Sequence, residues 1–249
     1  MKLRSLLLAA IFFALLPSTF GQQAEPAKPI KPPSVNEILD KYVKALGGPA
    51  AIQAIKSRSV KGTLDLVPMN LKGTFESYAA PEAKAFSKLT IAGIGDLLEG
   101  TDGKTAWAIN PIQGSRERTG AELLQAKLLN DFYRDINLAK LFPKMELTGT
   151  ANVGVRNAYV VIASAEGLSP ETWYFDTETG LMLRSDFTAI APEGNQPMTV
   201  YYEDLRLVDG VKVPFRIRTK TPSFEIILTS TEVKHNLPID DSKFSRPKI

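Results

Sequence analysis

The strongest constraint on the fold is an alternation of apolar and polar residues with a period of two, which runs through the last third of the chain. Between residues 211 and 219 the apolar positions are Val211, Val213, Phe215 and Ile217, and the charged ones are Lys212, Arg216 and Arg218. Successive side chains of a β-strand point to opposite faces, so this segment has one apolar and one polar face. Asp209-Gly210 and Glu178-Thr179-Gly180 are typical of tight reversals. The pattern predicts antiparallel hairpins across residues 172–231.

The same alternation begins at Ser59 and continues over most of the chain up to residue 172. Helical patterns precede it and interrupt it. Ser34 and Glu37 have the spacing of a capping box and open a helix that Gly47 ends. Pro49 opens a short second helix. Apolar residues four apart predict a third helix over residues 121–133. We therefore expect an α+β fold that is mainly β, with about ten strands.

The first 33 residues are predicted to lie outside this fold. Lys2 and Arg4 precede an apolar run too short to span a membrane, and small residues follow it, as in a cleaved export signal over residues 1–21. Residues 22–33 are rich in proline and polar, which is typical of a disordered linker. The folded domain is predicted over residues 34–249. In a Gram-negative bacterium its compartment is the periplasm, and no cysteine is present to carry a lipid anchor.

The charge balance argues against nucleic acid as a partner. The chain has 30 Lys and Arg against 27 Asp and Glu, and removing Lys2 and Arg4 leaves 28 basic residues. A domain with nearly balanced charge lacks the basic surface that phosphate backbones require.

The amount of apolar strand surface predicts a cavity. Ten strands of about five residues present a face on the order of 800 Å², and each short helix covers roughly 180 Å² of it. The sheet can bury the remainder by closing into a barrel, by folding into a sandwich, or by curling around the helices and enclosing a pocket. Helices both before and within the strands favour the third arrangement.

The order of these elements resembles the LolA/LolB superfamily of periplasmic lipoprotein carriers. The resemblance covers most of residues 59–249 and depends on hairpin signals: residues 173–176 with Thr179-Gly180-Leu181, then Asp209-Gly210 with Val213-Pro214, and a closing segment at residues 237–244. It implies a single, strongly curved, open or half-barrel antiparallel sheet, with helices on the concave side and a hydrophobic cavity for acyl chains. Without a cysteine, the chain resembles the soluble LolA-type members. The family's lid-holding arginine has no counterpart that a motif identifies here.

The sequence contains no recognisable catalytic or metal-binding set. It has one histidine, His235, and no cysteine, whereas metal sites use several such ligands at defined spacing. No serine has the flanking glycines of a nucleophile elbow. Glu203 and Asp204 are adjacent on a strand and are expected to face opposite sides, and Asp240-Asp241 is explained by a solvated turn. We therefore expect neither a catalytic residue nor a metal or other cofactor.

Candidate ligand contacts are the large apolar residues on the apolar phase of the strands and of the third helix. They are Leu64, Leu66, Phe75, Trp107, Leu128, Trp173, Phe175, Phe215, Ile217, Phe224 and Ile226. For each of them taken singly an ordinary core position is favoured, whereas as a group they form the expected ligand-facing wall. Loops at residues 93–96, 114–120 and 191–197 are either parts of a movable rim or plain hairpin loops. Arg116-Glu117-Arg118 either contacts anionic headgroups or simply faces water.

The sequence favours a monomeric, non-enzymatic carrier that binds a lipid or the acyl chains of a lipoprotein, serving lipoprotein sorting or lipid transport. Its partners are then the cargo and envelope proteins of the inner and outer membranes. The alternative is an envelope sensor on the same scaffold, whose docking to a partner protein depends on ligand occupancy. A weak hydrolase is disfavoured by the missing nucleophile and metal ligands.

Overall fold

The computed structural model describes residues 31–247. The predicted signal at residues 1–21 and most of the predicted linker lie outside the described residues. The helices are α1 (Val35–Leu46), α2 (Pro49–Ala54), α3 (Gly120–Leu129) and α4 (Arg134–Leu141), followed by a 3₁₀ helix (Asp241–Phe244) near the C-terminus. Within residues 31–247, none of these helices has the length and apolar character that crossing a bilayer requires.

The strands form one antiparallel sheet. They are β1 (Arg58–Val67), β2 (Leu71–Ala80), β3 (Lys84–Ile91), β4 (Gly95–Asp102), β5 (Ala106–Asn110), β6 (Gly114–Arg118), β7 (Lys144–Val153), β8 (Arg156–Ser164), β9 (Glu171–Asp176), β10 (Met182–Ala189), β11 (Gln196–Val208), β12 (Val211–Lys220) and β13 (Glu225–His235). Their order is β6-β5-β4-β3-β2-β1-β13-β12-β11-β10-β9-β8-β7, so the sheet is open and β6 and β7 are its edges.

The sheet has thirteen strands, so the expected number of about ten was too low. One reason is β6, which was predicted as part of a loop over residues 114–120. Its sequence, GSRER, contains no large apolar residue, because an edge strand can satisfy its backbone on one side and leave polar side chains in water. The Arg116-Glu117-Arg118 cluster therefore belongs to an edge strand and not to a loop.

Strand register divides the side chains between two faces. Paired residues in an antiparallel ladder point to the same side. The pairs Phe75–Gly62 and Leu64–Leu228 lie on the same face, and the register continues across the central strands to Trp173 on β9. This face also packs against all four α-helices through one apolar core, and we call it the helix face.

The N-terminal helix forms as its sequence predicts. The side chain of Ser34 accepts a hydrogen bond from the backbone N–H of Glu37, and the carboxylate of Glu37 accepts one from the backbone N–H of Ser34, so the predicted capping box is confirmed. The helix ends at Gly47, whose φ of 132° suits glycine. A Cβ at this position would lie 2.1 Å from the carbonyl oxygen of Gly210, so the absence of a side chain lets α1 approach the turn between β11 and β12.

The helix predicted over residues 121–133 is confirmed as α3, but it ends four residues early, at Leu129, and a break separates it from α4, which was not predicted. The side chain of Asn130 donates to the carbonyl of Ala126, and Asp131 accepts from the backbone N–H of Tyr133. Short polar side chains that bond to nearby backbone compete with the helical ladder. The break turns the chain so that α3 and α4 cover different parts of the helix face.

A contact between the connections of distant strands indicates that the sheet is curved. Gln113, in the turn after β5, is hydrogen-bonded to Glu193, in the loop between β10 and β11. Seven strands separate β5 from β10 in the sheet order. On a flat sheet the two strands would lie roughly 38 Å apart at about 4.8 Å per strand. A side-chain contact across this distance requires the sheet to curl.

Candidate functional site

A cavity of about 440 Å³ lies between the helix face and α3. Its floor comes from the central strands and its roof from α3. Floor residues include Val60, Phe75, Ser77, Ala85, Leu89, Ile217 and Leu228, and the roof residues are Ala126 and Asn130. The volume lies within the range of roughly 300–1,000 Å³ typical of small-molecule sites.

The cavity continues into an apolar cluster at one end of the helix face. Leu64, Leu66 and Ile91 are its buried centre, and Leu89 and Leu228 pack against them while also lining the cavity. The central strands therefore provide a continuous apolar surface that extends beyond the cavity floor.

Two further grooves have a different character. One, of about 430 Å³, lies over the outward side chains of β1, β2 and β3 and is lined by Lys61, Lys88 and a row of threonines. The other, of about 500 Å³, runs along the C-terminal segment near Pro238. The first is too polar for a hydrocarbon chain, and both are more open than the cavity beneath α3, which makes that cavity the candidate site.

Ion pairs connect the start of α3 to the edge strand β6. Arg116 binds Glu122 through two hydrogen bonds of 2.7 Å, and Nε of Arg118 lies 3.3 Å from the same carboxylate. Arg118 also pairs with Glu99 on β4, and both residues line the cavity. The predicted role of Arg116 and Arg118 as a free cationic contact for headgroups does not fit this arrangement, because their charges are already balanced.

The middle of α3 is attached to the opposite part of the sheet. The side-chain amide of Gln125 donates to the carbonyl of Thr188 over 2.7 Å and accepts from the backbone N–H of Ile190 over 2.9 Å. The helix thus spans from β6 to the end of β10. Helix α3 therefore covers the cavity and is attached on both sides of it.

A buried polar network fixes α4 and α1 beside the cavity. Arg134 of α4 donates to Glu171 over 2.6 Å, and the indole N–H of Trp173 donates to the same carboxylate over 2.7 Å. Burial is the largest single influence and acts to lower the pKa of Arg134, but Glu171, Tyr202 and Asp135 together more than offset it, so the net shift is upward. The hydroxyl of Tyr42 donates to Asp135 over 2.6 Å, and burial together with that carboxylate raises the tyrosine pKa.

The structure divides the eleven predicted contact residues among several environments. Phe75 and Ile217 line the cavity. Leu64, Leu66, Phe224 and Ile226 belong to the adjoining apolar cluster. Leu128, Trp173 and Phe175 lie in the core beneath α1 and α4, where Trp173 and Phe175 have no exposed surface. These three residues support the wall of the cavity without reaching its interior.

Two predicted contacts lie away from the cavity. Trp107 is on the opposite face of the sheet, because it pairs with Gly100, which pairs with Phe86 on the polar phase of β3. Its indole N–H donates to the carbonyl of Phe244, and the 3₁₀ helix covers it. Phe215 is half-buried, with the guanidinium of Arg206 4.4 Å from its ring.

Sequence reasoning missed the charged and small residues of the cavity, of which Arg58 and Ser77 are examples. A signal was present for Arg58, since it has the same strand phase as Val60, Leu64 and Leu66. A charged residue on the apolar side of a strand is unusual. Ser77 offered no comparable signal, because a small polar residue fits either face.

The single histidine and the acidic pairs have structural partners. Nδ1 of His235 lies 3.2 Å from Asp209, and its side chain is fully buried at the end of β13. Glu203 pairs with Arg216 and Arg218, whereas Asp204 pairs with Arg206. The two carboxylates therefore bind different arginines.

Comparison with solved structures identifies the fold. A LolA superfamily protein from Nitrosomonas europaea aligns over 86% of this chain and 99% of its own, with 14% identity and a TM-score of 0.56. A DUF1329 family protein from Desulfovibrio piger aligns over 85% of this chain and 97% of its own, with 13% identity and a TM-score of 0.58. No protein-family model and no curated protein matches the sequence. The chain has a LolA-like fold, as the sequence resemblance predicted.

Proposed function

We propose that the protein is a non-enzymatic periplasmic carrier that binds a lipid, or the acyl chains of a lipoprotein, in the cavity beneath α3. The observation that carries the proposal is the cavity of about 440 Å³ with its apolar floor and adjoining apolar cluster. The LolA-like fold supports it. In this proposal the helix face is the concave side of the curled sheet, and the cargo lies between the sheet and α3.

The mechanism of such a carrier is a partition equilibrium. Each buried methylene is worth about 0.8 kcal/mol, so an acyl chain of ordinary length is held firmly in water. No covalent step is needed, and release requires only an acceptor that offers a better apolar site. We further propose that residues 1–21 direct export, that residues 22–33 form a linker, and that residues 34–249 carry the lipid as a monomer.

The test is to fill the cavity without disturbing the core. Ser77 lies on the cavity floor, on the same phase of β2 as Phe75. We expect the protein purified from a bacterial periplasm to contain extractable lipid, and Ser77→Phe to contain at least tenfold less by mass spectrometry, because the new ring occupies the space of the acyl chain.

Thr74→Phe is the matched control, since Thr74 is on the same strand and exposed on the opposite face. It should retain the lipid of the wild type. Equal lipid content in Ser77→Phe and Thr74→Phe, with both variants folded by circular dichroism, would contradict the proposal. So would the absence of lipid from the wild type after expression in a lipid-rich periplasm.

A further inference from the structure

Arg58 is a positive charge at the cavity without a matching negative one. It is the first residue of β1, pairs with Ala79 and His235 across the ladder, and lines the cavity beneath α3. Its Nε atom is buried and has no hydrogen-bond partner. No carboxylate of residues 31–247 lies within ion-pair distance of its guanidinium.

Three other partly buried arginines near the site also have an unpartnered Nε, but they differ from Arg58 in having a carboxylate partner. Arg116, Arg118 and Arg134 each have a carboxylate within 3.3 Å. The neighbour that Arg58 does have is an aromatic ring, since its guanidinium carbon lies 5.7 Å from the ring centre of Phe132. An aromatic face attracts a cation weakly compared with a carboxylate.

The groups around Arg58 leave its charge largely uncompensated. Burial lowers the pKa of Arg58 from its usual value, while the more distant Asp135 and Tyr42 raise it. Asp135 already accepts a hydrogen bond from Tyr42. His235 supplies no negative charge, and burial and the neighbouring Arg58 lower its own pKa. A guanidinium remains charged at any physiological pH, so burying it without a partner is costly.

We propose that Arg58 is the anchor for an oxyanion on the head of the bound lipid, so that the cavity selects anionic amphiphiles over neutral ones with the same chain. A carboxylate or phosphate matches the planar fork of a guanidinium, which can bind two oxygens at once. The ligand would supply the negative charge that no neighbouring side chain provides to Arg58. This inference rests on the proposed lipid-carrying function.

The experiment compares three twelve-carbon ligands that differ only in the head: dodecanoate, dodecyl phosphate and dodecanol. Their affinities for the delipidated protein are measured by calorimetry at pH 8. A hydrogen bond to a charged group is worth about 1.5–3 kcal/mol, so we expect both anions to bind roughly ten- to a hundredfold more tightly than dodecanol. Inorganic phosphate alone, which lacks a chain, should bind more weakly than all three.

Variants test whether Arg58 causes the preference for anionic ligands. Arg58→Gln should bring the two anions to within about threefold of dodecanol while leaving the affinity for dodecanol unchanged, and Arg58→Lys should keep part of the preference because it keeps the charge but loses the fork. The matched control is the double variant Glu99→Gln/Arg118→Gln, which removes a balanced ion pair from the same cavity. It should retain the wild-type preference.

The outcomes separate the two proposals. Binding of none of the three ligands would overturn the carrier function itself. Equal binding of all three by the wild type would leave the carrier intact and overturn the role of Arg58, and this comparison needs no variant to fold. A preference that persists in Arg58→Gln would also overturn that role. Tight binding of inorganic phosphate would show a site for free anions and not for lipid heads.

Discussion

The carboxylate of Glu171 accepts hydrogen bonds from two side chains in the interior of the protein. Arg134 and the indole of Trp173 both donate to the same carboxylate oxygen. Glu171→Gln keeps an acceptor but removes the charge that Arg134 faces. Breaking a buried pair from one side costs about 3 kcal/mol or more, and we expect a loss of that size in the free energy of unfolding measured with urea.

The control for this prediction is an exposed pair. Asp65 and Lys72 are 2.7 Å apart, but their side chains are 39% and 77% exposed. Asp65→Asn should change the free energy of unfolding by less than about 1 kcal/mol. Similar losses in both variants would mean that Glu171 does not act through its buried position.

His235 should make stability depend on pH. Burial, followed by the charge of Arg58, lowers its pKa in the folded state, so the unfolded chain binds more protons. Stability therefore rises with pH in this range: the stability present above about pH 6.5, the ordinary pKa of histidine, is lost as the pH falls from there through the lower pKa of the folded state. We expect the free energy of unfolding to fall between pH 7 and pH 5, and to fall less in His235→Asn. Identical pH profiles for the two proteins, measured with urea, would contradict this.

The sequence identifies an unusual residue only where its side chain departs from the apolar and polar alternation of its strand. Arg58 does so, because it is a charge on the apolar phase of β1, and its position could have been recognised as unusual. Trp107 does not, because alternation assigns two faces to a strand but does not say which one adjoins the helices. The 3₁₀ helix at the other end of the chain covers Trp107, and no local signal predicts that contact.

At the level of elements, both ends of α1 were predictable, whereas the end of α3 and the whole of α4 were not. The capping box and the terminal glycine of α1 are local signals that fix both ends of the helix. Leu124, Leu128, Phe132 and Ile136 lie four apart across the boundary between α3 and α4, and the break there depends on side-chain hydrogen bonds of Asn130 and Asp131. Edge strand β6 lacks any apolar signal, which explains why the sheet is larger than expected.

The attachment of α3 can be tested separately from its packing. Gln125 joins α3 to β10 through two hydrogen bonds with backbone groups. Gln125→Ala removes both without changing the buried residues Ala126 and Leu128. Because local opening depends on such bonds, we expect hydrogen exchange of residues 120–129 to accelerate severalfold, and lipid to leave the protein faster.

Lys127→Ala is a suitable control for this experiment. Lys127 is on the same helix, and no hydrogen bond or ion pair joins its side chain to another described residue. The Lys127→Ala variant should have the hydrogen-exchange rates and the rate of lipid release of the wild type. If Gln125→Ala also matches the wild type in both measurements, α3 does not control access to the cavity.

The curvature of the sheet is a property of the whole molecule, and no local segment of the sequence predicts it. Alternation predicts strands and an apolar face, and the area of that face predicts that the sheet must close, fold or curl. The choice among them depends on contacts such as Gln113 with Glu193, which lie 80 residues apart in sequence. The open edges at β6 and β7 show that the sheet curls without closing.

This arrangement predicts how affinity depends on the length of the cargo. If the cavity and the adjoining cluster at Leu64 and Leu66 hold one acyl chain, each added methylene is buried and contributes about 0.8 kcal/mol, which is about fourfold in affinity. We expect the affinity for unbranched fatty acids, measured by calorimetry at constant pH, to rise by this factor per carbon and then level off when the apolar surface is filled. In Ser77→Phe the affinity should level off at a shorter fatty acid, because the new ring occupies part of the space of the acyl chain. An affinity independent of length from the shortest chain onward would mean that the chain stays outside the protein, and the carrier mechanism would then be wrong.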